Sequence, residues 1–182
     1  LCVETMVQSL EKSAHKTPVS LFEEAVTAAN KAVFEESASH VEYEGMGTTV
    51  VACTLEENTL YIANIGDSRL YLIRDGIEQI TDDHSLVEEM VKQGNITESE
   101  ARIHPQKNII TRALGINEEV QADFFEIDVE QGDVIMLCSD GLSNMIEDDR
   151  LFDVINANNV EDSVKILIDE AKKNGGYDNI TA

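Results

Sequence analysis

The strongest structural pattern in the chain is the stretch TTVVACTLEENTLYIANIGDSRLYLIRDGIEQIT, residues 48–81. Its β-branched and aromatic runs are separated by Glu-Asn, Gly-Asp and Asp-Gly pairs, which are typical of turns between strands. The pattern predicts antiparallel strands, with a type I′ hairpin turn at Asp75-Gly76 between the last two. The four predicted strands cover residues 48–55, 59–65, 69–74 and 77–81.

Two helices are predicted ahead of this stretch. Apolar residues at helical spacing place the first over residues 1–13 and the second over residues 21–33. Ser20 is the predicted N-cap of the second helix, and Glu23 three residues later completes a capping box. The sequence HKTPVS, residues 15–20, supplies the break between the helices.

Strands and then helices are also predicted in the second half of the chain. Separate helical and strand regions of this kind predict an α+β fold with antiparallel sheets covered by helices, and not a doubly wound sheet. A length of 182 residues fits one domain, 1–182. The later predicted elements are strands at 120–127 and 133–138 and helices near 147–155 and 160–173.

Charge and cysteine content narrow the possible partners and compartment. The 36 acidic and 13 basic residues give a formal net charge of -23, which repels nucleic acid and anionic membranes. No segment approaches the ~20 apolar residues of a membrane helix. The three cysteines form no C-x-x-C pair, and two lie in apolar runs, which is typical of reduced core thiols. We therefore expect a cytoplasmic protein without nucleic-acid or membrane partners.

Three aspartates lie at strand ends: Asp67 in YIANIGDSR, Asp140 in VIMLCSDGL and Asp178 in GGYDNIT. Two follow an apolar strand and the third precedes a strand-like run. Paired strands can bring such ends together, and carboxylate oxygens are the ligands that Mg²⁺ and Mn²⁺ prefer. Aspartate close to glycine is also common in turns, so the turn interpretation stays open at this point.

Six motifs follow one another along the chain: GMGTTVV (45–51), LYIANIGDSRLYLIRDG (60–76), DHSLVEEMVKQGNIT (83–97), HPQKNIITRALG (104–115), CSDGL (138–142) and GGYDNIT (175–181). In this order they resemble the bacterial branch of the metal-dependent protein phosphatases, type 2C (PPM family). The resemblance implies an αββα sandwich, in which two antiparallel sheets pack face to face with helices outside. It also implies two or three Mn²⁺ or Mg²⁺ ions at one edge.

The resemblance further implies hydrolysis of phosphoserine or phosphothreonine in phosphorylated proteins, by a metal-activated water and without a catalytic side-chain nucleophile. By similarity, Asp140 and Asp178 would bind one ion, and Asp67 with Asp140 would hold a weaker third ion. A bacterial Ser/Thr kinase would act in the opposite direction.

Residues 82–115 correspond to the family's flap, although an ordinary structural excursion is the alternative. This polar segment is predicted to contain two short helices capped by Ser85 and Thr97. His84 and Ser85 are candidates for contact with substrate.

One family feature is missing from the sequence. Family members carry an Arg, an Asn-Glu-Asp stretch and an Asp-Gly-Met-Gly-Gly motif ahead of the first helices, and the aspartate of that motif bridges two metals. The GMGTT of residues 45–49 lacks the aspartate and follows the helices. Two interpretations follow: a piece of an active phosphatase, or a catalytically empty domain that binds or regulates a phosphorylated partner.

Overall fold

The computed structural model describes residues 1–12 and 16–182, so residues 13–15 of the predicted helix end and break lie outside the described part. The helices are α1 (Cys2–Lys12), α2 (Pro18–Ser39), α3 (Leu86–Lys92), α4 (Glu98–Ile103), α5 (Asp140–Ser143), α6 (Asp148–Ala157) and α7 (Val160–Lys173), with a 3₁₀ turn at Val41–Tyr43. The strands are β1 (Val50–Glu56), β2 (Thr59–Ile65), β3 (Arg69–Ile73), β4 (Ile77–Gln79), β5 (Asp123–Asp128) and β6 (Val134–Cys138).

The described strands form two antiparallel sheets that pack face to face. One sheet has the order β1-β2-β5 and the other β4-β3-β6. Leu60 and Ile62 of β2 pack in the same cluster as Leu70 of β3 and Leu137 of β6, which fills the space between the sheets. Side chains alternate along a strand, so the intervening residues face the other way, towards the helices. Ile65 accordingly packs in the cluster beneath α1 and α2.

Helices cover the outer face of each sheet. Ala25 and Ala29 of α2 are fully buried, and their small side chains let the helix lie close to β2. On the opposite side, Leu151 of α6 and Leu167 of α7 pack on Tyr71 of β3. Helix, sheet, sheet and helix layers therefore follow one another, which confirms the predicted αββα sandwich. No helix in the described ranges is both long enough and apolar enough to cross a membrane.

Two local predictions were wrong. Helix α2 begins at Pro18, and its N-cap is Thr17, whose side chain accepts a hydrogen bond from the Ser20 amide. Proline at the first helical position needs no amide partner and already has helical φ, so the helix starts three residues earlier than the predicted residue 21. Neither Asp75 nor Gly76 has the positive φ that a type I′ turn requires.

Candidate functional site

Strand pairing brings Asp67 and Asp140 to the same edge of the second sheet. Arg69 of β3 pairs with Cys138 of β6. Asp67 lies two residues before Arg69 and Asp140 two residues after Cys138, so the antiparallel ladder delivers both carboxylates to one end. Gly66, with φ 103°, makes the turn that presents Asp67. Both aspartates line a cleft of about 610 Å³ between the sheet edge and residues 82–115.

The C-terminal segment brings Asp178 beside Asp140. The Ser139 amide donates to the carbonyl of Thr181 (3.1 Å), and the Ser139 hydroxyl donates to the carbonyl of Asn179 (2.9 Å). A Cβ on Gly141 would lie 2.3 Å from the Asn179 carbonyl oxygen, so this close approach requires glycine. Asp178 is close enough for its charge to act on Asp140.

Asp140 is close enough to both Asp67 and Asp178 for the like charges to repel. Burial, together with the charges of Asp140 and Asp83, raises the pKa of Asp67 to about 6. Burial and the charge of Asp178 raise the pKa of Asp140. Raised carboxyl pKa values mark a site where negative charge lacks compensation, and a bound cation would supply that compensation.

A partly buried ion pair in the cleft was missed by sequence reasoning. Asp83 accepts three hydrogen bonds from Arg69, at 2.9 and 3.2 Å from Nε and at 2.7 Å from Nη2. Arg69 also donates to the hydroxyl of Tyr71 (2.9 Å). The only sequence signal is an arginine at the start of a buried strand, since its partner lies 14 residues away beyond a hairpin. Both residues line the cleft. Because the charge of Arg69 is paired with Asp83, it offsets little of the charge of nearby Asp67.

Acidic side chains dominate the cleft lining. Nine carboxylates line it against three basic side chains, Arg69, Arg102 and Lys107. Two of the three basic groups are already paired, Arg69 with Asp83 and Arg102 with Glu147. The cleft is therefore a strongly negative environment.

The donor atoms suit a hard divalent cation, but they are too few for a complete site. Aspartate oxygens are the preferred ligands of Mg²⁺ and Mn²⁺. Over residues 1–12 and 16–182, however, no group of three or more His, Cys, Asp or Glu side chains is placed to hold a metal ion. Asp67, Asp140 and Asp178 thus have the right chemistry for metal ligands, but they are too few to form a complete metal site.

His84 and Ser85 lie inside the protein. Ser85 is 2% exposed; its hydroxyl caps α3 by accepting from the Glu88 amide, and it lines the cleft wall. His84 is 6% exposed, does not line the cleft, and bonds to the backbone of Gly66. Both residues therefore have structural contacts, and their contact with substrate stays a prediction.

The segment predicted as the flap contains the two short helices expected from its sequence. Ser85 caps α3, and Thr97 caps α4 in a full capping box with Glu100. Arg102 of α4 reaches across the cleft and donates to the carbonyl of Ser143 (3.3 Å). Both helices line the cleft opposite the sheet edge that carries Asp67 and Asp140, which we call the carboxylate edge. The mobility of this segment stays a prediction.

Comparison with known proteins gives a consistent family assignment. Residues 1–163 match the protein phosphatase 2C family. The serine/threonine phosphatase stp of Listeria monocytogenes serotype 4b is 37% identical over 161 residues, which are 87% of this chain and 64% of the relative. The chain thus spans less than two thirds of that relative's length.

Solved structures agree with this match. The crystal structure of the Mycobacterium tuberculosis serine/threonine phosphatase PstP/Ppp aligns with a TM-score of 0.90 and 36% identity, over 98% of this chain and 77% of that chain. The catalytic domain of serine threonine protein phosphatase PstP in complex with 2 manganese ions aligns with a TM-score of 0.87 and 33% identity, over 98% and 75%.

Proposed function

Because the chain belongs to the protein phosphatase 2C family, we propose that the protein hydrolyses phosphoserine and phosphothreonine in phosphorylated proteins with the help of divalent metal ions. Asp67, Asp140 and Asp178 are the residues of this chain that would hold those ions. The named phosphatases that it resembles, and the manganese-bound neighbour, support both parts of the proposal.

The observation that carries the proposal is the charge of the cleft. A phosphate monoester is an anion, and a cleft lined by nine carboxylates repels it. The cleft becomes a phosphate site only if cations are bound at its carboxylates. The raised pKa of Asp67, caused by burial and by Asp140 and Asp83, supports that place for a cation.

Each residue of the site has a distinct task in this proposal. Asp140 would bind a divalent ion, and Asn144 orients its carboxylate by donating to Oδ2 (3.2 Å). The backbone amide of Asn179 donates to Oδ1 of Asp178 (2.7 Å), which fixes that carboxylate. Asp67, in the loop before β3, adds a further negative charge beside Asp140. Divalent ions held there would activate water and offset the charge of the phosphate oxygens.

Finer parts of the proposal rest on the family resemblance. The ions are Mn²⁺ or Mg²⁺, two or three in the complete domain, and a bacterial Ser/Thr kinase phosphorylates the substrates. Cys2, Cys53 and Cys138 are all free thiols, which supports a reducing compartment such as the cytoplasm.

One observation favours a second function. The described residues hold no preformed group of three metal ligands, as expected of a catalytically empty domain that binds or regulates a phosphorylated partner. Such a domain would bind a phosphopeptide without releasing phosphate.

Phosphate release from a phosphothreonine peptide tests the proposal. A segment with the family's Asp-Gly-Met-Gly-Gly motif is joined ahead of Leu1, and Mn²⁺ is added. We expect release that EDTA abolishes and that Asp140→Asn lowers by at least ~10²-fold. Asp149→Asn, an exposed carboxylate of the same cleft, is the matched control and should leave the rate nearly unchanged. Peptide binding without release would favour the second function.

A further inference from the structure

His84 forms a reciprocal pair of hydrogen bonds with the loop that presents Asp67. We call residues 66–68, between β2 and β3, the Asp67 loop. The Gly66 amide donates to Nδ1 of His84 (2.9 Å), and the His84 amide donates to the Gly66 carbonyl (2.9 Å). Gly66 is thus held by both the side chain and the backbone of His84.

The imidazole ring of His84 is itself fixed from its other side. Since Nδ1 accepts from Gly66, the ring proton lies on Nε2, which donates to Oδ2 of Asp123 (3.1 Å). Nη1 of Arg112 donates to the other oxygen of Asp123 and also lies 3.0 Å from Nε2 of His84, so the Arg112–Asp123 pair encloses this side of the ring. This arrangement sets the tautomer and orientation of a ring that is only 6% exposed.

His84 also belongs to the base of the flap. The Thr111 amide donates to the His84 carbonyl (2.8 Å), and the Leu86 amide donates to the Ile109 carbonyl (2.9 Å). We call these two paired segments, residues 84–86 and 109–111, the flap stem. The flap stem and the Asp67 loop therefore share His84.

The Asp67 loop packs closely against Thr49 on the side away from the flap stem. A Cβ on Gly66 would lie 2.3 Å from Cγ2 of Thr49, and the Thr49 hydroxyl bonds to that of Ser68 (2.9 Å). The side-chain amide of Asn64 donates to the carbonyl of Asp82 (2.9 Å). These contacts hold the loop against β1 and residue 82, so we expect a displacement of the flap stem to move the loop with it.

We propose that His84 is a positioning residue that couples the flap stem to the Asp67 loop, so that the two segments shift together. Its consequence for Asp67 as a cation ligand rests on the function proposed above. The coupling itself concerns only the described chain and can be measured without metal or substrate.

Amide hydrogen exchange of the 182-residue chain, followed by NMR, tests the coupling through three variants. His84→Ala removes the acceptor for the Gly66 amide. His84→Asn places an oxygen near the position of Nδ1 and keeps that acceptor. His104→Ala is the matched control, because Nδ1 of His104 also accepts from a backbone amide, that of Gln106, at another place in the flap.

We expect His84→Ala to accelerate exchange of the Gly66 amide by roughly tenfold or more, since one hydrogen bond is lost. The Leu86 and Thr111 amides should accelerate with it. His84→Asn should restore protection at Gly66, and His104→Ala should leave all three amides unchanged.

Three results would overturn the proposal. In the first, Gly66 exchange is unchanged in His84→Ala. In the second, Gly66 accelerates while the flap stem does not. In the third, β6 accelerates equally, which means general destabilisation. Failure of the proposed phosphatase function would appear separately, as absent phosphate release from the chain extended with the Asp-Gly-Met-Gly-Gly motif in the presence of Mn²⁺.

Discussion

Neutralising Asp67 should stabilise the metal-free protein. Burial and the charges of Asp140 and Asp83 raise the pKa of Asp67 from 3.8 to about 6. Each tenfold change in proton affinity corresponds to ~1.4 kcal/mol, so the ionised carboxylate costs at most ~3 kcal/mol. Asp67 is only partly buried, and solvent screening reduces this cost to ~1–2 kcal/mol. Asp67→Asn should therefore raise Tm by roughly 2–6 °C at pH 7.5 in EDTA.

The pH dependence distinguishes this cause from a general packing effect. A carboxyl group with a raised folded-state pKa binds its proton more tightly in the folded protein, so the folded state loses stability as pH rises from 3.8 towards and through 6. The advantage of Asp67→Asn should be complete above pH ~7 and absent near pH ~4.

Thermal unfolding in EDTA across this pH range is the assay, with Asp149→Asn as the control. Asp149 lines the same cleft but lies in the first turn of α6, where a negative charge favours the helix. Its neutralisation should lower Tm slightly. A neutral or destabilising Asp67→Asn at pH 7.5, or a gain that does not vary with pH, would refute the reasoning.

Three further predictions concern the metal ligands, the flap and the core. Asp140→Ala should weaken Mn²⁺ binding more than Asp67→Ala, because Asp140 neighbours both other carboxylates; calorimetric titration giving the reverse order would contradict the ranking. Amides of α3 and α4 should exchange faster than those of β6, because these helices are too short to be stable without packing; equal protection would favour an ordinary covering element. Leu142→Ala should lose ~2–5 kcal/mol in urea unfolding, because Leu142 is fully buried between β6 and α7, whereas exposed Val3→Ala should change stability by less than ~0.5 kcal/mol.

Most strand positions could be predicted because strand signals are local. The β-branched and aromatic run of residues 59–65 is visible in the sequence, and the Glu-Asn and Gly-Asp pairs mark both of its ends, which β2 matches. Turn and cap geometry was harder, because several local solutions compete. The helix begins at Pro18 with Thr17 as its N-cap, and not at the capping box predicted from Ser20 and Glu23.

Contacts between distant side chains could not be predicted from local patterns. The Arg69–Asp83 ion pair needs the hairpin and the following loop to be folded before the two residues meet. The bond from the Gly66 amide to His84 spans 18 residues and depends on the tautomer of a buried ring. The aspartates at the carboxylate edge could be suggested because each stands beside a strand end, and the family motifs supplied their proposed roles.

The most direct test of the central claim compares phosphate release by the 182-residue chain with release by the same chain extended at its N-terminus with the Asp-Gly-Met-Gly-Gly motif. Both are assayed with p-nitrophenyl phosphate at matched Mn²⁺ concentration. Asp67, Asp140 and Asp178 alone supply too few ligands, so the 182-residue chain should release almost no phosphate. The extended chain should be faster by several orders of magnitude. Equal rates would show that catalysis does not need the bridging aspartate and would contradict the account.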